Sequence, residues 1–257
     1  MRFVAAVGRV TLAFFEQTGR LTMFIGSAIT GVMRPPFFWR LIGQQMARIG
    51  YFSLPVVGLT AFFTGGVLAL QIYIGASRYG AEAFVPVVVL VGITRELGPV
   101  ISGLMVAGRV AAAIAAEIGT MRVTEQIDAL TTLSTNPIKY LVVPRLLAAI
   151  ITMPILVGIA DSIGVMGGYV ASTQSLGFNG AIYLSNTIDA LAWNDISSGL
   201  IKAAVFGFII ALLGCYNGFN SKGGAQGVGE ATTSAVVSSS ILILAANYIL
   251  TNILFAD

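Results

Sequence analysis

Hydrophobic positions in this chain gather into runs long enough to cross a bilayer rather than into alternating or short clusters, and the few charged positions punctuate those runs. We read five spanning helices, roughly Gly50 to Ala76, Phe84 to Ala112, Pro144 to Ser172, Ile196 to Tyr216 and Ala231 to Ala256. Before the first of them the pattern changes. Arg2, Arg9, Glu16 and Arg20 share one narrow stripe of a helical wheel, while Phe3, Val7, Val10, Phe14, Leu21 and Phe24 occupy its broad side. That spacing suits a helix over residues 1–34 lying in the membrane interface, and equally a helix packed on the rest of the protein. Arg34-Pro35-Pro36 ends it, and Phe37 to Arg40 reads as an interfacial anchor.

Composition agrees with an all-α integral membrane protein: 257 residues, 56% hydrophobic and 10% charged, with a mean hydropathy of +0.89. Six of the fourteen Lys and Arg (Arg2, Arg9, Arg20, Arg34, Arg40 and Arg48) precede the first spanning run. The segment Glu117 to Arg145 adds Arg122, Lys139 and Arg145, whereas Thr173 to Asp195 contains no Lys or Arg. The positive-inside rule therefore predicts a cytoplasmic N-terminus and, after five crossings, a C-terminus on the far side. No removable signal peptide is expected, and the whole chain, 1–257, reads as a single membrane domain.

The absence of histidine excludes imidazole metal sites, Ser-His nucleophiles and His proton relays. Cys215, the one cysteine, reads as packing. The glycine-rich turn Lys222 to Gly229 lacks the G-x-x-x-x-G-K-[ST] pattern, so any use of ATP needs a nucleotide site on another subunit. No metal site, cofactor or catalytic group is expected in the chain.

The sharpest departure from what lipid tolerates is Arg95-Glu96-Leu97-Gly98-Pro99, inside the second run. Each charge at that depth costs on the order of 2.5–3.5 kcal/mol on insertion scales. Adjacent residues point about 100° apart on a helix, so Arg95 and Glu96 need separate partners. Pro99 lacks the amide that would bond the Arg95 carbonyl, leaving a free acceptor at the same level. Two readings stand: a polar spot facing a cavity or another subunit, where a guanidinium could hold a phosphodiester, or a structural pair satisfied by neighbouring helices. Asp161 in the third run either titrates or accepts hydrogen bonds from Ser and Thr nearby. Gly164 and Gly168 beyond it permit close helix approach. Thr233, Ser240, Asn247 and Thr251 form a stripe suited to interhelical hydrogen bonds. The segment Glu117 to Leu130 is either a short amphipathic helix that takes up force from a soluble partner or an ordinary solvated connection.

Four segments together decide among these readings: Arg95-Glu96-Leu97-Gly98-Pro99-Val100, Ala107-Gly108-Arg109, Ala116 to Ile127, and Gly227 to Thr233. With them in this order, nearly the whole chain closely resembles the MlaE/YrbE family, the permease subunits of ABC transporters that work with MCE proteins. The resemblance implies a five-helix permease with an N-terminal interfacial helix, acting as a homodimer in a bacterial inner membrane. It implies two cytoplasmic ATPase subunits, a periplasmic ring of MCE subunits, often a STAS-domain protein, and a phospholipid or other hydrophobic cargo. Carried over by position, Leu68, Ile72, Tyr79, Arg95, Glu96 and Leu97 fall at a lipid cavity. Residues 113–143 become the coupling region, with Glu117, Gly119, Met121, Arg122, Glu125 and Asp128 docking on the ATPase. No role transfers to Asp161 or Lys202. The competing expectation is an ion-coupled carrier using Asp161 and Glu96; a lipid-modifying membrane enzyme fits less well, since the intramembrane acids are too few and too scattered for a two-metal cluster, and a pure scaffold for the MCE partner would tolerate neutral substitutions at both Arg95 and Glu96.

Overall fold

The computed structural model describes residues 2–35 and 38–255, without the side chains of 2–10, 13, 14 and 17. The stripe positions Arg2, Phe3, Val7, Arg9, Val10 and Phe14, together with Pro36, Phe37, Ala256 and Asp257, thus lie outside the described residues or side chains. The described chain is all-α, and five of its helical stretches are long and apolar enough to cross a membrane: Trp39–Tyr79, Glu82–Val123, Ile138–Ser175, Trp193–Phe219 and Gly224–Leu254.

Helix α1 (Arg2–Met33) precedes them. Its second half rests on the bundle: Phe24 meets the rings of Tyr216 and Phe219 at 5.6 and 5.7 Å, and Ala28 is fully buried. Leu12, Met23 and Met33 stay exposed, so α1 has one packed side and one apolar side facing outward. After Phe38, a separate helix, α2 (Trp39–Gly50), begins and buries Ile42 and Ile49. Pro55, near the start of α3 (Leu54–Ala76), suits a first helical turn because that turn's amides have no intrahelical acceptor.

The second crossing comprises α4 (Val85–Gly92), α5 (Gly98–Val106) and α6 (Ala112–Val123), joined by π-helical turns at Ile93–Leu97 and Ala107–Ala111. At the first of these the Gly98 amide reaches back to the Ile93 carbonyl, five residues earlier. A third π turn, Ile138–Val142, precedes α8 (Val143–Ser175) in the same way, one residue before Pro144. In both places proline removes one i→i−4 bond and the preceding turn widens around the deficit. Between α6 and α8 lies α7 (Gln126–Thr132), set off by Glu125 in the left-handed region at φ 59°. The helical stretch of the second crossing therefore continues past Ala112 to Val123, and Glu117 lies within α6, before the short helix α7.

Helix α8 is the central post. Close approach to α3 depends on missing side chains: a Cβ at Gly65 would overlap the Gly164 carbonyl, and one at Gly167 would overlap that of Phe62. This is the small-residue contact expected around Gly164. Helix α9 (Gly180–Asp189) occupies the connection between the third and fourth spans. The Asn179 side chain caps it, accepting from the Ala181 and Ile182 amides, and buried Tyr183 anchors it between Tyr169 and Phe178. Helices α10 (Trp193–Phe219) and α11 (Gly224–Leu254) complete the bundle. Residues Val237, Ile241, Leu244 and Tyr248 leave one side of α11 bare.

Candidate functional site

The π turn at Ile93–Leu97 turns Arg95 and Glu96 toward different partners, and α10 supplies one charge for each. The Arg95 guanidinium donates through Nε and Nη2 to Asp195 Oδ1, both at 2.6 Å, and its Cζ lies 4.6 Å from the centroid of the Phe255 ring. Glu96 receives Lys202 Nζ at 2.8 Å and Thr251 Oγ1 at 2.9 Å on Oε1, and Asn247 Nδ2 at 2.8 Å on Oε2. Lys202 also donates to the Arg95 carbonyl at 2.8 Å, the acceptor that Pro99 leaves free. Asp195 and Lys202 stand seven residues apart, two helical turns, and so share one face of α10.

Two intramembrane ion pairs result, each with one buried member and one opening outward. Lys202 has no exposed surface and the Asp195 side chain is 3% exposed, while Arg95 and Glu96 retain 37% and 39%. Glu96 opens into a cleft of about 530 Å³ whose other walls belong to α11 and the residue after it: Leu244, Asn247, Tyr248, Thr251, Asn252 and Phe255. Charged donors, amide groups and an aromatic face thus border an apolar helix side at one level.

The other positions expected at a lipid site are not on this face within one protomer. Leu68 and Ile72 pack against Ala69, Val85, Val89 and Ile93. Tyr79 is 86% exposed in the turn after α3, and Leu97 points into a narrow crevice against Val57, Ala61 and Thr64. The α3 group and the Glu96 group therefore lie on different sides of the second crossing.

At the other end of the bundle Glu117 accepts from Arg145 at 3.0 Å and from Arg48 at 3.3 Å, tying α6 to α8 and α2. Arg122 pairs with Asp128 at 2.7 Å across the Glu125 break. Arg122, Glu125 and Asp128 face outward, but Gly119 is buried and packs close to Ser221 and Val228, and Met121 packs on the core. These last two shape the α6 contact rather than offering a docking surface.

Three participants carried legible signals. The polar stripe of the last span delivers Asn247 and Thr251 as interhelical donors. Lys202 was visible only as an unexplained charge within a span. Asp195 falls one residue before the fourth span expected from the sequence, whereas it is a buried residue of α10's first turn. For Asp161 the alternative of hydrogen bonds from nearby Ser and Thr fails: among the described residues no Ser or Thr bonds its carboxylate, and Oδ1 is buried without a partner.

The family model described as "Permease MlaE" matches residues 42–253. The chain belongs to the MlaE permease family. It is 58% identical over 250 residues to a probable ABC transporter permease protein of Rickettsia conorii, covering 97% of this chain and 96% of that protein. A probable ABC transporter permease protein of Synechocystis is 43% identical over 212 residues, covering 82% and 81%. The intermembrane phospholipid transport system permease protein MlaE of Haemophilus influenzae is 32% identical over 256 residues, covering 99% and 98%. In this MlaE-family chain the second span carries two charged pairs, and membership in an ABC permease family displaces the ion-coupled carrier.

Proposed function

We propose that this MlaE-family permease moves phospholipid, or a closely related lipid, between a bacterial inner membrane and the outer envelope, with a cytoplasmic ATPase supplying energy and an MCE-domain protein receiving or delivering cargo. The observation that carries the reading is the paired cluster Arg95–Asp195 and Glu96–Lys202 bordering an apolar helix side within the membrane. A guanidinium that already spans an acid and an aromatic ring retains donors for a phosphodiester. Glu96 and the amide of Asn252 suit the polar remainder of a headgroup, and the bare face of α11 suits acyl chains. The Haemophilus relative's name, a phospholipid transport permease, supports the same cargo.

The working unit is a homodimer. The exposed stripes on α3 (Val56, Leu59, Phe63, Val67) and on α11 (Val237, Ile241, Leu244, Tyr248) are unpartnered in one protomer. A second copy turns them into walls, which also gives Leu68, Ile72, Tyr79 and Leu97 a route to the same cavity as Arg95 and Glu96. The N-terminus is cytoplasmic and the C-terminus periplasmic, with 1–257 acting as one permease domain. Residues 1–34 sit at the interface, and 113–143 contain the ATPase contact, for which outward-facing Arg122, Glu125 and Asp128 are best placed and a STAS-domain protein is a further partner.

The test is lipid transfer by the reconstituted transporter. Glu96→Gln, and Arg95→Ala paired with Asp195→Asn so that no buried acid is stranded, should each slow transfer while the complex still assembles. Normal transfer by both variants overturns the site.

A further inference from the structure

A second cleft lies away from Arg95 and Glu96, on the side of the bundle where α4, α8, α9 and the start of α10 meet. Its volume is about 270 Å³, and its polar lining comprises Thr94, Asp161, Ser162 and Thr187. Asp161 is 8% exposed. Its Oδ1 is fully buried without a partner, and neither carboxylate oxygen has a donor among the described residues. The carboxyl is held there by shape: Oδ1 fills the space that a Cβ of Gly98 would need.

The hydroxyls around it make the site one-sided in its chemistry. Thr94, Ser162 and Thr187 each donate to the carbonyl four residues earlier on their own helix, those of Leu90, Gly158 and Tyr183, all at 2.9 Å. With their hydrogens committed, these groups present only lone pairs to the cleft. Asp161 adds its other carboxylate oxygen, Oδ2, since Oδ1 is turned into the packing against Gly98, and no Lys or Arg lines the wall. The rest is apolar, including Leu90, Ile188 and Leu191. A phosphate or carboxylate would meet only acceptors here. A donor on an apolar body would meet Oδ2, the unpartnered oxygen of a carboxyl only 8% exposed, where a polar group is costly to leave unmatched.

We propose that this cleft is a separate binding site for a single-headed amphiphile whose polar end is a hydrogen-bond donor, a primary amine or a hydroxyl, taken up by Asp161 with its apolar body against Ile188 and Leu191. The site is distinct from the proposed transport cavity, and its existence does not depend on that reading.

The test uses the full chain in nanodiscs of phosphatidylcholine, whose headgroup carries neither N–H nor O–H. Three probes are compared: a diazirine-bearing long-chain alcohol, the matched primary amine, and the methyl ether of the alcohol. Labelling near Asp161 and Leu191 by the amine or the alcohol, competed by its unlabelled parent and absent with the ether, is the expected result. The better of the two probes identifies the head. Asp161→Asn should weaken half-saturation by the amine about tenfold, the scale of one charge-assisted hydrogen bond. Leu191→Trp, at a position 46% exposed, should block labelling by filling the mouth with the carboxyl intact, which guards against a folding defect in the first variant. Equal labelling by the ether, labelling that does not saturate, or labelling indifferent to both substitutions overturns the site.

Discussion

Removing either member of the Glu96–Lys202 pair should be unequal in cost, and the inequality follows from what each removal strands. In Glu96→Ala the Lys202 ammonium remains, with no exposed surface and only the Arg95 carbonyl as acceptor. An uncompensated buried charge of this kind costs about 3–5 kcal/mol. In Lys202→Met the Glu96 carboxylate keeps Asn247 and Thr251 as donors and remains 39% exposed, so the loss is nearer about 1–3 kcal/mol. The double variant Glu96→Ala with Lys202→Met contains no stranded charge and should be more stable than Glu96→Ala alone. The coupling between the two substitutions should then be about 0.5–3 kcal/mol, the range found for residues in direct contact. Thermal unfolding of the purified chain in detergent reads this directly, at about 2–4 °C per kcal/mol for a chain near this length. Glu96→Ala should lower Tm by about 6–20 °C and Lys202→Met by less. Additive losses, or a larger loss from Lys202→Met, would refute the reasoning, because both outcomes require the ammonium to be satisfied without Glu96.

Other consequences are simpler to check. Glu117→Lys sets three cations together with Arg48 and Arg145 where one carboxylate now serves two; permease-stimulated ATP hydrolysis by the partner ATPase should fall, and unchanged stimulation counts against a coupling role. Gly65→Leu drives a side chain into the Gly164 carbonyl, so it should destabilise the α3–α8 contact by about 1–3 kcal/mol or more in the same unfolding assay. Replacing the exposed Leu59 by Ala should leave the monomer's Tm nearly unchanged but weaken dimerisation in detergent, since its side chain is 62% exposed in one protomer.

The spans, the intramembrane charges and the need for two separate partners at Arg95 and Glu96 were all legible in the chain, because each is a local property. Apolar runs of bilayer length declare themselves by composition. Adjacent residues on a helix diverge by a fixed angle, and a proline frees a known carbonyl. The identity of the partners was not legible. Nothing local ties Arg95 to Asp195, 100 residues away, or Glu96 to Lys202 and Thr251. Nor could the pattern separate Asp195 from the loop before it, since one residue at a helix start carries no period. Likewise Gly119, conspicuous within a charged segment, is spent on packing that appears only when α10 and α11 return to α6.

The sequence by itself determined that this is a five-span membrane protein with an expensive charged turn in its second span, because the bilayer restricts backbone and charge so severely that few patterns satisfy it. Only the tertiary structure decided which charges satisfy one another, that the free Arg95 carbonyl is taken by Lys202, and that Asp161 is left with no donor of its own. Those outcomes depend on the register at which α10 and α11 pack against the widened π turn, a distance in space that no spacing along the chain encodes.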